Sequence, residues 1–317
     1  MELSIVIPVY DEADNIRPLI GEIHGTLERL EKSYEIVIVD DGSMDATFSV
    51  LSKLHYQQDS LKVVRLKRNF GQTAAMAAGL AHARGDIVIM MDGDGQNDPA
   101  DIPALLAKVA EGHDLVAGWR FNRRDDLFSR RLPSMVANRL ISWMTRVKLH
   151  DYGCTLKAMR KDIAKDLKLY GEMHRFIPAI AFERGARITE LRVNHRPRLH
   201  GRSKYGITRT LRVVLDLLTV KFLISYSTRP SHIFGPMGVI SGGSGFLIGV
   251  YLTLQKLLYE VEIGGRPLLL LAVLLIFIGF QFITMGLLGE MLARTYHESQ
   301  NRPVYVVREI LEGRKNG

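Results

Sequence analysis

Two stretches near the carboxyl end constrain this chain more than any other feature. Residues 230–255 and 267–289 contain no Lys, Arg, Asp or Glu. Each is longer than the ~20 residues a helix needs to cross the ~30 Å hydrocarbon core of a bilayer. Either could be a buried core helix, but two adjacent runs of this length are rare inside a soluble domain, and the pair is expected to span a membrane. Gly238/Gly242 and Gly245/Gly249 sit four apart, a spacing that lets a second helix approach closely. The link, about Lys256–Arg266, carries two basic and two acidic residues, whereas the flanks before and after are basic. The positive-inside rule then puts both flanks in the cytoplasm and the link outside. The chain opens directly on a strand pattern with no basic-then-apolar leader, so residues 1–229 are expected to stay cytoplasmic.

Charge divides the chain into thirds. Residues 1–116 carry 10 Lys/Arg against 19 Asp/Glu, residues 117–230 carry 25 against 9, and residues 231–317 carry 7 against 6. The basic middle lacks the interleaved aromatics of a nucleic-acid surface, so phosphates and lipid are its expected partners and nucleic acid is not. Within it, Tyr205–Thr228 mixes Leu, Val and Ile with spaced cations, the pattern of helices lying in the headgroup plane or, alternatively, of a core helix. At 47% apolar and 24% charged, the chain is neither disordered nor fibrous, and its single cysteine, Cys154, excludes an intrachain disulfide.

The first 120 residues alternate apolar runs with helical periodicity. Strands are expected at Leu3–Val9, Glu35–Val39, Leu61–Leu66, Asp86–Met91 and Asp114–Ala117, and helices at Ala13–Leu30, Ala46–Leu54, Thr73–Ala83 and Asp101–Ala110. That alternation predicts an α/β sandwich with a mostly parallel sheet, in which ligands bind beyond the carboxyl ends of the strands. Acidic residues stand at those ends: Asp11 and Glu12, Asp40 and Asp41, Asp92 and Asp94.

Asp92-Gly93-Asp94 is the sharpest motif. Two carboxylates after a buried strand repel each other, and a hard cation such as Mg²⁺ or Mn²⁺, completed by substrate phosphates, relieves this. Gln96 and Asp98 are near enough in sequence to contribute. A polar turn with helix-capping aspartates explains DGDGQNDP equally well, and the same holds for Asp40-Asp41-Gly42-Ser43. No glycine-rich phosphate loop opens a helix, so a bound diphosphate would need metal and side chains. Arg120, Arg123, Arg124, Arg130, Arg131, Arg196, Arg198, Arg202 and Lys204 are available. Several of these could equally be solvated or contact anionic lipid.

Together these features resemble the family-2 inverting glycosyltransferases, specifically the polyprenyl/dolichyl-phosphate branch, over nearly the whole chain. The resemblance implies a GT-A-type sheet followed by interfacial helices and a two-helix transmembrane hairpin. It implies that Pro8, Tyr10 and Glu12 line the nucleotide pocket, that Asp40 reads the nucleoside, and that Asp92, Asp94 and Gln96 hold the metal, with Asp92 and Gly93 beside the nucleotide-sugar. Arg120 would contact the diphosphate, Arg198 and Lys204 in Arg-Leu-His-Gly-Arg-Ser-Lys would clamp it, and Arg130 and Ser134 would hold the acceptor phosphate. Asp151 aligns with an acidic residue of the acceptor loop and could orient the nucleophile or be structural. Lys157 departs from the family, where Arg is commoner.

The resulting expectation is a membrane glycosyltransferase with a cytoplasmic catalytic domain at 1–204, interfacial helices at 205–229, two spans at 230–290 and a cytoplasmic tail at 291–317. It would transfer a hexose, with UDP-glucose the first choice, to a polyprenyl phosphate with inversion at the inner membrane. A glycan or diacylglycerol acceptor and a non-catalytic scaffold are the alternatives, and a homo-oligomer is compatible with the sequence.

Overall fold

The computed structural model describes residues 1–121, 142, 147–169, 173–197, 231–260, 262–299 and 304–312. The expected interfacial helices, and Arg130, Ser134, Arg198 and Lys204, lie outside the described residues. The chain divides into two units, Met1–Leu217 with Pro303–Gly317, and Leu218–Arg302.

Among the described residues, the first unit is built on eight strands: β1 (Leu3–Val9), β2 (Tyr34–Asp40), β3 (Leu61–Leu66), β4 (Ile87–Met90), β5 (Leu115–Arg120), β6 (Lys157–Arg160), β7 (Ile188–Val193) and β8 (Val307–Leu311). Their order is β7-β5-β6-β4-β1-β2-β3-β8. Six strands run in one direction, while β6 is antiparallel to β4 and β5, and β8 is antiparallel to β3. The helices α1 (Ala13–Glu28), α2 (Thr47–His55), α3 (Gln72–His82) and α4 (Ile102–Ala110) connect the first five strands, and α5 (Lys161–Asp166) and α6 (Ile177–Glu183) follow β6.

β1 is buried along its whole length, as its unbroken apolar run requires of a central parallel strand. The two-residue period sorts its side chains between two layers. Leu3, Ile5, Ile7 and Val9 join Ile36 and Ile38 of β2 in one core with Ile16, Ile20 and Ile23 of α1 and Leu51 of α2. Val6 turns to the other face, where α3 approaches so closely that a Cβ on Gly79 would lie 2.2 Å from Val6 Cγ1.

Residues 307–311, placed in a tail by the sequence, instead form the edge strand β8. Val63 pairs with Leu311 and Arg65 with Glu309, and the Lys67 N–H donates to the Val306 carbonyl at 2.9 Å. Glu312 adds ion pairs to Lys62 at 3.2 Å and Arg84 at 3.0 Å. Charged side chains on a short outer strand discourage further edge pairing.

Among the described residues, the second unit is a helical hairpin of α7 (Ser231–Tyr259) and α8 (Pro267–Ser299). Both helices are long and apolar enough to cross a membrane. Phe246, Leu247, Phe277 and Phe280 are 63–70% exposed, which a core helix of a soluble domain would not tolerate. Close approach of the helices depends on small residues. A Cβ on Gly279 would sit 2.5 Å from the Gly242 nitrogen, and one on Gly245 would sit 2.6 Å from the Ala272 carbonyl. Gly249, expected at the same seam, has no neighbour within 4 Å of such a Cβ.

Candidate active site

Strand direction gathers the site. β1, β2, β4 and β5 end at one edge of the sheet, and antiparallel β6 begins there, with Lys157 in register with Met90 and Ala117. That edge therefore carries Tyr10 to Glu12, Asp40, the Asp92–Asp94 turn, Arg120 and the loop leading into β6. Pro8 lies just inside, within buried β1.

The Asp92-Gly93-Asp94 turn packs onto the end of β1. A Cβ on Gly93 would meet Val9 Cγ1 at 2.4 Å, so only glycine fits, and Gly95 follows with φ of +74°. The Asp92 N–H donates to Asn97 Oδ1 at 2.8 Å, and Gln72 Nε2 donates to Asp92 Oδ1 at 2.8 Å. Thr155 adds a hydroxyl hydrogen bond. These neutral donors, and the Arg120 and Lys157 charges nearby, only partly offset the charge. Burial, and then the neighbouring Asp94 carboxylate, push the Asp92 carboxyl up to about 6.

Asp94 is buried and its Oδ1 accepts the Gln96 N–H at 3.1 Å. The Gln96 amide nitrogen lies 3.4 Å from the Arg196 carbonyl, leaving its side-chain oxygen as the atom available to a cation. Asp98 is otherwise engaged: it caps the turn at Ala100 (3.0 Å) and pairs with Arg196 at 2.6 Å. Among the described residues no three His, Cys, Asp or Glu side chains gather as a metal cage. Two crowded carboxylates and an amide oxygen suit a hard cation that substrate phosphates complete, and not a closed all-protein site.

The two aspartates of Asp40-Asp41 separate in role. Asp41 accepts the Phe70 and Gly71 N–H groups at 2.8 and 2.9 Å and so fixes the turn ahead of α3. Asp40 is fully buried. Its Oδ1 accepts the Ser43 N–H at 2.9 Å, while Oδ2 has no hydrogen-bond donor and lies 3.5 Å from Arg65 Nε. Arg65 stacks 4.0 Å over the Phe48 ring and reaches Glu309 of β8 at 3.2 Å. Glu12 ties the first strand end to the second: its N–H donates to Thr47 Oγ1 at 2.9 Å, and its carboxylate accepts Asn15 Nδ2 at 2.6 Å.

Arg120, the last residue of β5, forms a two-pronged ion pair with Asp151, Nε to Oδ2 at 2.6 Å and Nη2 to Oδ1 at 3.0 Å. Burial opposes the Arg120 charge, but the Asp151 carboxylate more than offsets it and holds the guanidinium above its ordinary pKa. Lys157 is buried beside them, its ammonium donating to the Cys154 carbonyl. Burial keeps its pKa below the ordinary lysine value. Burial also pushes the Cys154 thiol up to about 11, which makes it a structural and not a reactive cysteine.

Sequence reasoning missed Gln72, Thr155, Arg65 and the pairing of Arg120 with Asp151. Only Gln72 left a usable signal, because it follows the end of a parallel strand.

Residues 4–168 match the family model described as Glycosyl transferase family 2. The chain is 46% identical over 316 residues to the dodecaprenyl-phosphate galacturonate synthase of Rhizobium johnstonii, covering 98% of this chain and 94% of that protein. It is 38% identical over 313 residues to the undecaprenyl-phosphate 4-deoxy-4-formamido-L-arabinose transferase of Shewanella sediminis, covering 98% and 93%. Among solved structures, the glucosyl-3-phosphoglycerate synthase of Mycobacterium tuberculosis with Mn²⁺, UDP and phosphoglyceric acid superposes with a TM-score of 0.55 at 19% identity, over 72% of this chain and 80% of that one. At that identity the likeness concerns the fold, and the mixed sheet with its helices is of the expected GT-A type.

Proposed function

Because the chain belongs to glycosyl transferase family 2 and is a glycosyltransferase, we propose that it moves galacturonate from a nucleoside diphosphate onto a polyprenyl phosphate at a membrane. The observation that carries this reading is the extent of the likeness. Similarity to polyprenyl-phosphate sugar transferases covers 98% of the chain, hairpin included, and not the sheet alone. The UDP-glucose first chosen from the sequence has no support among these relatives. The one at 46% identity is named for galacturonate, and that sugar replaces glucose here.

The sheet edge supplies parts for this chemistry. Asp40 Oδ2, buried without a hydrogen-bond donor, suits a nucleobase N–H. Asp92, Asp94 and the Gln96 oxygen would hold Mg²⁺ or Mn²⁺, which when bound neutralises diphosphate charge as the leaving group departs. Arg120 adds fixed positive charge for the same diphosphate. Arg198 and Lys204 are assigned to it as well, and Arg130 and Ser134 to the acceptor phosphate. These four lie outside the described residues. A phosphate monoester with a second pKa near ~6 is largely dianionic at neutral pH, so the acceptor is nucleophilic without a strong base. Attack opposite the leaving group inverts the anomeric centre.

Chain order supports the proposed topology. β3 precedes the hairpin and β8 follows it, yet both belong to one sheet, so the chain between them must cross a bilayer an even number of times. Two spans satisfy this, and the positive-inside rule assigns the shared side to the cytoplasm. Cysteines introduced near Gly264 and at Lys315 should label from opposite sides of the membrane, and labelling from the same side would overturn the topology.

The transfer itself is tested with membranes containing the full chain, undecaprenyl phosphate and a panel of radiolabelled donors. Lipid-extractable label is expected from UDP-galacturonate. Label from UDP-glucose alone would overturn the sugar, and no label from any donor would overturn the acceptor.

A further inference from the structure

We propose that Asp151 is a positioning residue, holding the Arg120 guanidinium in one orientation for the donor diphosphate, and not a base acting on the acceptor. The inference rests on the reading of Arg120 as a diphosphate contact. It follows from how completely Asp151 is used. Its Oδ2 accepts Arg120 Nε at 2.6 Å and faces the Arg120 backbone N–H at 3.4 Å. Its Oδ1 accepts Arg120 Nη2 and the Gly153 N–H, both at 3.0 Å. Each oxygen therefore meets two donors, and the residue is 7% exposed. A carboxylate clamped by a guanidinium is a weak base, and its lone pairs point at the protein.

The loop that presents Asp151 is fixed on both sides. His150 stacks on Trp119 at 4.2 Å, and its backbone N–H donates to Glu190 Oε2 at 2.8 Å. The Tyr152 hydroxyl donates to the Val147 carbonyl at 2.7 Å. Gly153 closes the loop against the guanidinium: a Cβ there would stand 3.1 Å from Arg120 Nη2. Of the five N–H groups of an arginine, the fork to Asp151 uses two, so that among the described residues three remain for a phosphate. The charge is thus set before any donor arrives, the arrangement that makes electrostatic stabilisation effective.

The test uses the full-length protein in detergent, with titration calorimetry of UDP and Mn²⁺ and no acceptor. Asp151→Asn should weaken UDP binding by roughly 10- to 100-fold, close to Arg120→Ala. The double variant should be no worse than Arg120→Ala alone, the non-additivity expected of residues acting as one unit. The pH–rate profile of Asp151→Asn should keep its wild-type shape. Wild-type UDP affinity in Asp151→Asn, with kcat reduced and one limb of the pH profile lost, would overturn the proposal in favour of a base. If the asparagine variant does not fold, Asp151→Glu decides: misplacing the guanidinium should weaken UDP binding, whereas a base would keep both the affinity and the pH limb. Should Arg120→Ala itself bind UDP normally while Asp94→Ala does not, the assignment of Arg120 to the diphosphate fails. If Arg120→Ala weakens UDP binding and Asp151→Asn does not, only the positioning role fails.

Discussion

The Asp92–Asp94 turn and the Asp151 loop share one edge of the sheet and treat negative charge in opposite ways. In the turn, burial and the Asp94 carboxylate outweigh the neutral donors on Asp92 and the nearby Arg120 and Lys157 charges, and push the Asp92 carboxyl up to about 6. In the loop, a single carboxylate is matched by a guanidinium and two backbone N–H groups. The residue type is the same, but the first arrangement keeps a surplus of negative charge that suits the proposed cation, while the second is matched within the protein. Surplus charge at the end of a buried strand marks where a ligand belongs, and balanced charge marks what holds the ligand's contacts in place.

The largest test of this contrast is Asp94→Ala, which removes a carboxylate from the crowded pair. Transfer should fall by ~10³-fold or more, since a bound cation contributes several kcal/mol to the reaction. Activity within tenfold of wild type, still dependent on metal, would erase the distinction between the two regions.

Asp92→Asn should have a smaller and less intuitive effect, inactivating the protein while stabilising it. Burial and Asp94 push the Asp92 carboxyl from its ordinary 3.8 up to about 6 in the fold, so the folded state binds this proton more tightly than the unfolded chain. The contribution is fully present below pH ~4 and is lost as pH rises through ~6, leaving metal-free protein at pH 8 with a penalty on the order of 1–3 kcal/mol. In EDTA at pH 8 the asparagine variant should melt several degrees higher, and the difference should vanish near pH 4. A variant that melts lower at pH 8 would mean that Asp92 is not under electrostatic strain.

The smallest effect belongs to an intermediate case. Asp40 adjoins the buried Asp41 carboxylate and is only partly paired, and its contact with Arg65 is shared with Glu309 of β8. Glu309 is 41% exposed, and such surface pairs contribute ~1 kcal/mol or less. Glu309→Gln should therefore weaken UDP binding by about 2- to 5-fold, with the effect fading at high salt. A loss above roughly 20-fold would make β8 part of the nucleotide site proper.

What the sequence revealed divides along similar lines. β1 to β5 and the four helices between them were legible because buried parallel strands read as unbroken apolar runs. β6 has four residues, and β7 and β8 are partly exposed edge strands carrying charges, so none stands out from its surroundings by periodicity. Arg120 was named only among the basic residues and through the family resemblance, whereas Asp40, Asp92 and Asp94 were legible as residues at strand ends. The fork between Arg120 and Asp151 was not, because partners 31 positions apart meet only through the register of β5 and β6. The sugar was not legible either, and the proposal of galacturonate rests only on similarity to a whole relative.

The edge strand β8 also orders events in time. Glu309 follows its partner Arg65 by 244 positions, with the whole hairpin between them. On a ribosome adding ~5–20 residues per second, the outer edge of β3 stays open for ~10–50 s after it is made. During that interval its bare N–H and C=O groups can capture a strand from another chain. In the proposed topology the edge closes only when both spans have been inserted and the carboxyl end has come back to the side it left. In that topology a chain that inserted one span would leave β8 on the far side and the outer edge of β3 uncovered. Completion of the sheet in the proposed topology would thus wait on insertion of both spans, because β8 follows them in the chain.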